Sequence, residues 1–537
     1  MPNLRLDKRF DVTFDEHKID AIFAQFDQCQ LPGVALGIAI RGEPVYRKGF
    51  GLANMELPVL LSPSIRMRIG STTKHFACLA YLLLCEAGEA EIDAPIGKYI
   101  PELHPVARGV TTRQLMGNVS GLRDVFDITW QFSGTPRVSS EQLLAMYRDI
   151  DDVNAPPGTN WIYNNGGFLM LSVAIERISG RTLEEFLRER IFDPIGMYET
   201  LLRRSESGFV PNSAALHTKN GGSEYQRSPF FGTDFAGEGG IVSTVDDMLR
   251  WLAHMDSPVV GNASTWAAMK TPQHLANGTS SYYSFGLLID RYRGLDIIHH
   301  PGGGMGGNAQ MIKVPAAGLD VIVMVNRDES GWALGNQILD SCVTGLDPVP
   351  QPSAAPFATG TFRSATTGRV VQLCVQDGQQ ILSIDGNDMP ASADSEGVLW
   401  PIQAEAKQSV TLLGDLQTPS AVRLSDFGNA DELGRESSPP ATDMEDIIGR
   451  YRADSIGAEV TIAKTPEGAR MSTVGKFGSR VYALECLADG VWRAKRSWMS
   501  PRSGGVLSFD RERRTFSFSG YRTWRLTFRR ADGFSGG

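Results

Sequence analysis

Proline divides this chain before any other feature does. Residues 346–356, LDPVPQPSAAP, carry four prolines in eleven positions. Proline lacks the N–H donor and fixes φ, so it cannot sit inside a helix or a central strand, and this stretch reads as a linker. Residues 433–443, LGRESSPPATD, read the same way. The chain therefore splits into units 1–345, 357–435 and 444–537. A length of 537 residues is too much for one ordinary core.

The first unit mixes element types. Gly33–Ile40 and Pro44–Gly51 alternate as strands around the turn Arg41-Gly42-Glu43. Helical periodicity covers 72–87, 140–149, 166–179, 182–191 and 244–255, and strand patterns return at 283–290, 294–299, 308–314 and 319–326. Strand pairs at both ends with helices between predict an α+β domain, an antiparallel sheet whose first and last strands meet, with a helical lobe inserted. The other two units are rich in β-branched residues with frequent turns, and predict antiparallel β-barrels or sandwiches. Gly360-Thr-Phe-Arg-Ser364 returns as Gly449-Arg-Tyr-Arg-Ala453, and Val398-Leu-Trp400 as Val491-Trp492. A duplicated small domain explains this; chance likeness between two β domains is the alternative.

Charge and composition exclude several classes. With 52 basic and 61 acidic residues the net charge is −9, which disfavours sequence-independent nucleic-acid binding. The longest apolar block, Ala77–Cys85, has the length of a buried helix segment, not a membrane span, so no membrane partner is expected. The first twenty residues mix charges throughout and show no secretory leader, which points to the cytoplasm. Cys78 and Cys85 sit seven apart on one predicted helix, about 10 Å along its axis, too far for a disulfide. The six cysteines form no CxxC and the eight histidines no HExxH or HxH, so reduced, buried thiols and no metal or other cofactor are expected.

Three segments carry chemistry. In Ser71-Thr-Thr-Lys74, the serine opens an apolar helix and the lysine lies one turn on, on the same face. Burial beside apolar residues lowers a lysine's pKa and makes it a base for the hydroxyl. An N-capping serine with a lysine running along the surface is the plain alternative. In Trp161-Ile-Tyr163-Asn-Asn165, Tyr163 and Asn165 share one side of an extended segment. A tyrosine near a cation can have a lowered pKa and exchange protons, and an amide can both donate to and accept from a substrate amide. In His299-His300-Pro-Gly-Gly303-Gly, only one histidine can face a given cleft, and the glycines let backbone approach a ligand. The N–H of Gly303 with that of Ser71 would form an oxyanion hole. Two look-alikes carry nothing: Gly533–Gly537 spells G-x-S-x-G with no helix after it, and Lys270-Thr271-Pro272 reads as a helix end.

Taken in order, S-x-x-K, Y-x-N and H-x-G resemble the serine hydrolases of the penicillin-binding-protein and class C β-lactamase group. Asn118-Val-Ser-Gly-Leu-Arg-Asp124, Gly239-Gly240-Ile241 and His300-x-Gly-Gly-x-x-Gly306 extend the likeness over about residues 30–330. Within that group the chain is similar to bacterial D-aminopeptidases, through the N-x-S-G-L-R-D segment, the histidine opening the third motif, and the tail segments Asp446–Arg452 and Trp524–Arg530. The resemblance implies a catalytic domain followed by two β-barrels, with a loop of the last barrel, here about 474–482, entering the site and selecting substrate. That loop offers Lys476 and Arg480 where the family has an aspartate, and a cation attracts a carboxylate and repels an ammonium. Glu238 or Asp234 would then supply the acid, or be surface carboxylates.

The resulting expectation is an acyl transfer. Ser71 is the nucleophile, Lys74 coupled to Tyr163 moves the proton, and His300 assists the relay or holds substrate. Asn165, Gly303, Glu238 and Arg480 bind substrate. The implied activity is release of N-terminal D-residues from small peptides, amides or esters, by a chain that could form a homodimer. The alternatives are an esterase or β-lactamase-like hydrolase, a D,D-carboxypeptidase, or a noncatalytic ligand-binding module.

Overall fold

The structure, a computed structural model, describes residues 10–134, 136–219, 222–228, 232–349, 358–402, 407–437, 444–495 and 504–531. Most of both proline-rich stretches, and Gly533–Gly537, lie outside them.

A six-stranded antiparallel sheet organises the first unit. It consists of β1 (Val34–Ile40), β2 (Glu43–Phe50), β3 (Leu288–Tyr292), β4 (Leu295–Gly304), β5 (Gly307–Val314) and β6 (Leu319–Val325). Its order is β3-β4-β5-β6-β1-β2, so the first strands do meet the last. The near-continuous apolar run of β1 has a direct cause, because the sheet is covered on both faces. Val34, Leu36 and Ile38 enter one core, under the helices Glu16–Phe23 and Gly331–Cys342, and Ala35 and Ala39 enter another. In β6, Val321 and Val323 share the first core while Ile322 and Met324 share the second.

The second core surrounds α1 (Lys74–Glu86), preceded by a 3₁₀ turn Gly70–Thr73. Every residue of α1 from Lys74 to Leu84 is buried, which is why the helix is apolar all round. Around it stand α2 (Val125–Ser133), α3 (Asn165–Ser179) and the helix Val245–His254. The predicted helices at 140–149, 166–179 and 244–255 appear nearly as read, whereas that at 182–191 ends in a π turn over Arg188–Phe192. The predicted strand 283–290 begins only at Leu288, because a turn at Ser284–Leu287, with Gly286 at φ +72° and Ser284 N–H donating to the Leu287 carbonyl, interrupts it. The strand expected to end at 299 runs on to Gly304, carrying the glycine segment into the sheet. Helices α2 and Gly331–Cys342 were not legible in the apolar periodicity. Lys270 closes the helix Ala263–Met269, as its neighbour Pro272 suggests.

Both tail units are closed eight-stranded antiparallel barrels, one over Gly360–Arg435 and one over Gly449–Arg530. The repeated glycine-x-aromatic pattern is the first strand of each. Phe362 pairs with Arg435 and Tyr451 with Arg530, and each guanidinium lies over the ring, at 4.9 and 5.6 Å. Any Cβ at Gly360 or Gly449 would fall 2.6 or 2.9 Å from those guanidinium groups. The Val398 and Val491 strands are each the fifth of their barrel, so the copies occupy equivalent places.

All six cysteines are free; Cys78 and Cys342 are buried, but Cys29 is exposed, contrary to the expectation for all of them. No described helix is long and apolar enough to cross a membrane.

Candidate active site

Ser71 lies in the 3₁₀ turn and Lys74 is the first residue of α1. This spacing leaves Lys74 Nζ 3.2 Å from Ser71 Oγ. Lys74 is fully buried and makes two shorter bonds, to Asn165 Oδ1 at 2.7 Å and to the carbonyl of Glu238 at 2.6 Å. Its Nζ also stands 4.7 Å from the ring centre of Tyr163. Burial first, and then the nearby Arg522 cation, pull the amine down to about 7.

Asn165 and Tyr163 reach Lys74 because Asn164 caps α3. Its side chain accepts from Gly167 N–H at 3.0 Å, and its own N–H donates to Asn118 Oδ1 at 3.0 Å. Asn118 holds φ +56° and starts the segment that ends at Asp124. Asp124 caps α2 through Phe126 N–H and accepts from Gly166 N–H, at 3.1 and 3.2 Å. Tyr163 hydrogen-bonds Ser71, but burial drives its phenol above the usual range. The lowered pKa expected for this tyrosine is therefore corrected: desolvation outweighs the neighbouring cations, and the phenol stays protonated.

The strand ladder orders the glycine segment. Two-residue turns at Arg293-Gly294 and Met305-Gly306 bound β4, so its hydrogen-bonded pairs alternate from Tyr292–Leu295 and Gly304–Gly307. That alternation turns the Gly303 N–H away from β5, towards the side where β3 has ended. Gly303 is exposed, and a Cβ there would meet nothing within 4 Å. On that side lies the turn that carries Ser71: a Cβ at Gly70 would be 2.8 Å from Gly303 N, and one at Gly302 would be 1.8 Å from Ile69 O.

The two histidines divide as strand alternation requires. His299 packs on Trp332 on one face, ring centres 4.8 Å apart, and His300 faces the cluster. Both nitrogens of His300 are engaged. Nδ1 faces the Pro301 carbonyl at 2.7 Å and so carries the proton, and Nε2 accepts from the Tyr283 hydroxyl at 3.1 Å. Burial pushes its pKa well below the ordinary value. His300 thus stays neutral and braces Tyr283, and its carbonyl accepts from Thr72 at 3.1 Å.

The remaining predicted residues separate. Glu238 is buried in the cluster; desolvation raises its carboxyl to about 7, one oxygen accepts from Ala236 N–H at 2.7 Å, and the other has no protein partner. Arg480 lies elsewhere. Its guanidinium borders Gly134 at the end of α2, and Lys476 in the same hairpin pairs with Asp149 at 2.9 Å. Hairpin 474–482 packs on α2, with Tyr482 and Thr473 bonded to the Gln131 and Phe132 carbonyls. The cation that the last barrel does present to Tyr163 is Arg522, 4.7 Å from the ring centre. Sequence reasoning missed Arg522 and Tyr283. The only trace of the former was its position beside the family-like segment that starts at Trp524.

The Beta-lactamase family model matches residues 19–337. The chain is similar to the D-aminopeptidase of Brucella melitensis biotype 2, 27% identical over 490 residues that cover 88% of this chain and 90% of that protein. It is similar to the D-aminopeptidase of Gluconobacter oxydans at 27% over 492 residues, 89% and 90% of the two chains. In fold it is similar to an octameric penicillin-binding protein homologue from Pyrococcus abyssi, with TM-score 0.57, 22% identity, and coverage of 78% of this chain and 100% of that one. It is likewise similar to the D-amino acid amidase from Ochrobactrum anthropi SV3, with TM-score 0.52, 21% identity, and coverage of 61% and 98%. With its serine, lysine and tyrosine gathered at the head of one buried helix, its first strand paired with its last, and the family model matching residues 19–337, the chain belongs to the Beta-lactamase family.

Proposed function

We propose that the protein is a serine hydrolase that releases N-terminal D-residues from small peptides, amides or esters through an acyl-enzyme on Ser71. One observation carries the reading: the bonding of Lys74. A neutral amine has two N–H groups, and Lys74 has two close carbonyl acceptors, Asn165 Oδ1 at 2.7 Å and Glu238 O at 2.6 Å. With both hydrogens committed, the lone pair is left for the hydroxyl hydrogen of Ser71, 3.2 Å away. An amine pulled down to about 7 is half neutral near neutral pH, which suits a general base.

Ser71 Oγ attacks the substrate carbonyl as Lys74 takes its proton. The Ser71 and Gly303 N–H groups receive the oxyanion. Tyr163, held as a phenol against Ser71, donates a proton to the leaving amine and regains one from the lysine ammonium. Water then attacks the ester carbonyl by the same route in reverse. His300 braces Tyr283 and Thr72 and takes no proton in this scheme. Preference for D-residues follows the two curated relatives, whose matches span nine-tenths of their length.

The test is turnover of D-alanine amide, L-alanine amide, a short aryl ester and a penicillin by the purified protein. The D-amide should be turned over, and faster than its L-enantiomer. Ser71→Ala should lose about 10³-fold or more. Turnover of the ester or penicillin ahead of any D-amide would replace this reading with an esterase or β-lactamase.

A further inference from the structure

Arg522 lies in the turn between the last two strands of the second barrel, Thr515–Ser519 and Leu526–Arg530. That turn is built into the catalytic domain. Trp524 N–H donates to Asn154 Oδ1 at 2.9 Å, and Asn154 Nδ2 donates back to the Arg522 carbonyl at 2.9 Å. Arg123, itself buried, donates to the Trp524 carbonyl at 2.5 Å. The Thr523 hydroxyl donates to the buried carboxylate of Asp127 at 2.7 Å. Bonds at the Arg522 carbonyl and at the next two residues, with the turn closed by Gly520 N–H donating to the Thr523 carbonyl at 2.7 Å, therefore fix where its side chain starts.

The guanidinium then stacks over Tyr163, while Lys74 Nζ also lies 4.7 Å from the centre of the same ring. Two carboxylates lie near Arg522: Asp127, which feels its charge without a direct bond, and Asp124, whose contact is a long 3.5 Å from one nitrogen. The other oxygen of Asp124 is already taken by the N–H groups of Phe126 and Gly166. No other protein acceptor meets the Arg522 fork among the described residues. Its side chain keeps 18% of its surface exposed. A planar fork with open donors, anchored at its base over the phenol that hydrogen-bonds Ser71, is built for a carboxylate and repels an ammonium.

We propose that Arg522 is the specificity-determining residue of the site, docking a substrate carboxylate beside Tyr163 so that acid-bearing D-residue substrates are preferred over their neutral isosteres. This rests on reading Ser71 as the nucleophile for D-residue substrates. The acid could belong to the leaving peptide's C-terminus or to the side chain on the acyl side, and two ligand pairs distinguish these.

Binding is measured by calorimetry to full-length Ser71→Ala protein, which needs no turnover and so separates this proposal from the hydrolytic one. D-alanyl-D-alanine is compared with its C-terminal amide, and D-aspartic acid α-amide with D-asparagine amide. In one pair the acid-bearing ligand should bind at least about tenfold tighter than its neutral partner. Adding Arg522→Gln should reduce that ratio to below about twofold. Arg522→Lys, which keeps the charge and the clamped backbone but not the fork, should reduce it by at least about threefold. Ratios taken within one protein are insensitive to a loss of folded fraction. Equal binding in both pairs, no binding of any of the four ligands, or a preference that survives both Arg522 variants overturns the proposal.

Discussion

The two barrels share strand number, closure and the glycine-aromatic-arginine device, yet they meet the catalytic domain differently. The first has a core of its own, with Phe362, Leu382 and Leu424 at its centre. The second differs: Tyr451, Phe518 and Phe528 belong to the same apolar cluster as α1, and what stands apart is a small patch of Leu487, Val491 and Val506 shared with Val370 of the first barrel. The bridge is Phe132 of α2, whose ring centre lies 5.2 Å from those of both Phe518 and Phe528. The first barrel touches the site segment through neutral groups. Asn429 bonds both the N–H and the carbonyl of Trp161, at 2.9 and 2.8 Å, and Phe427 stacks on its indole at 3.9 Å. The second brings a charge, Arg522, to Tyr163 two residues on. Identical scaffolds have thus been put to unlike uses by their turns: one fixes backbone, and the other sets the field around the reacting amine.

Phe132→Ala should test that contrast most severely. It removes a ring shared by two units, costs about 3–5 kcal/mol, and should lower the stability of catalytic domain and second barrel together. Phe362→Ala, similar in size, should loosen the first barrel alone. Hydrogen exchange mapped across the chain under mild denaturant checks both.

Asn429→Ala should cost about 1–3 kcal/mol, because it leaves a buried N–H and carbonyl of Trp161 without partners. Exchange at the Trp161 amide should rise while that at Trp524 stays slow. Asn154→Ala should reverse the pattern, since Asn154 accepts from Trp524 N–H.

The charge itself is sharpened by pH. Lys74 must be neutral to act as base, so kcat/KM should rise with pH through about 7. The Arg522 cation disfavours the lysine ammonium, while Glu238 and Asp124 favour it. Removing the cation with Arg522→Gln raises the lysine pKa and should move the acid limb to higher pH. No matching shift should follow Asn429→Ala. The smallest effect belongs to Lys476→Ala in hairpin 474–482. Its exposed pair with Asp149 is worth about 0–1 kcal/mol, and turnover should not change.

Legibility followed sequence distance. Ser71 and Lys74 were readable because a three-residue spacing determines their contact, and Tyr163 and Asn165 because one helix start carries both. Antiparallel order and the glycine hairpin followed from alternation and turns. Arg522 was not readable: it meets Asp124 across 398 residues, and that contact depends on how a barrel docks, which no local pattern encodes. Arg480 was chosen because family likeness pointed to its hairpin, but the arginine at the site comes from a different turn of the same barrel. The pKa of Tyr163 was misjudged for a related reason. Its neighbour's charge is visible in the sequence, while the depth of its burial is not.

The account stands or falls on the nucleophile. Intact-protein mass after exposure to a D-aminoacyl ester, with the modified residue mapped by peptide sequencing, tests it most directly. The predicted result is one acyl adduct, on Ser71, lost in Ser71→Ala and suppressed in Lys74→Ala. An adduct on another residue, or equal labelling of Ser71→Ala, would contradict it.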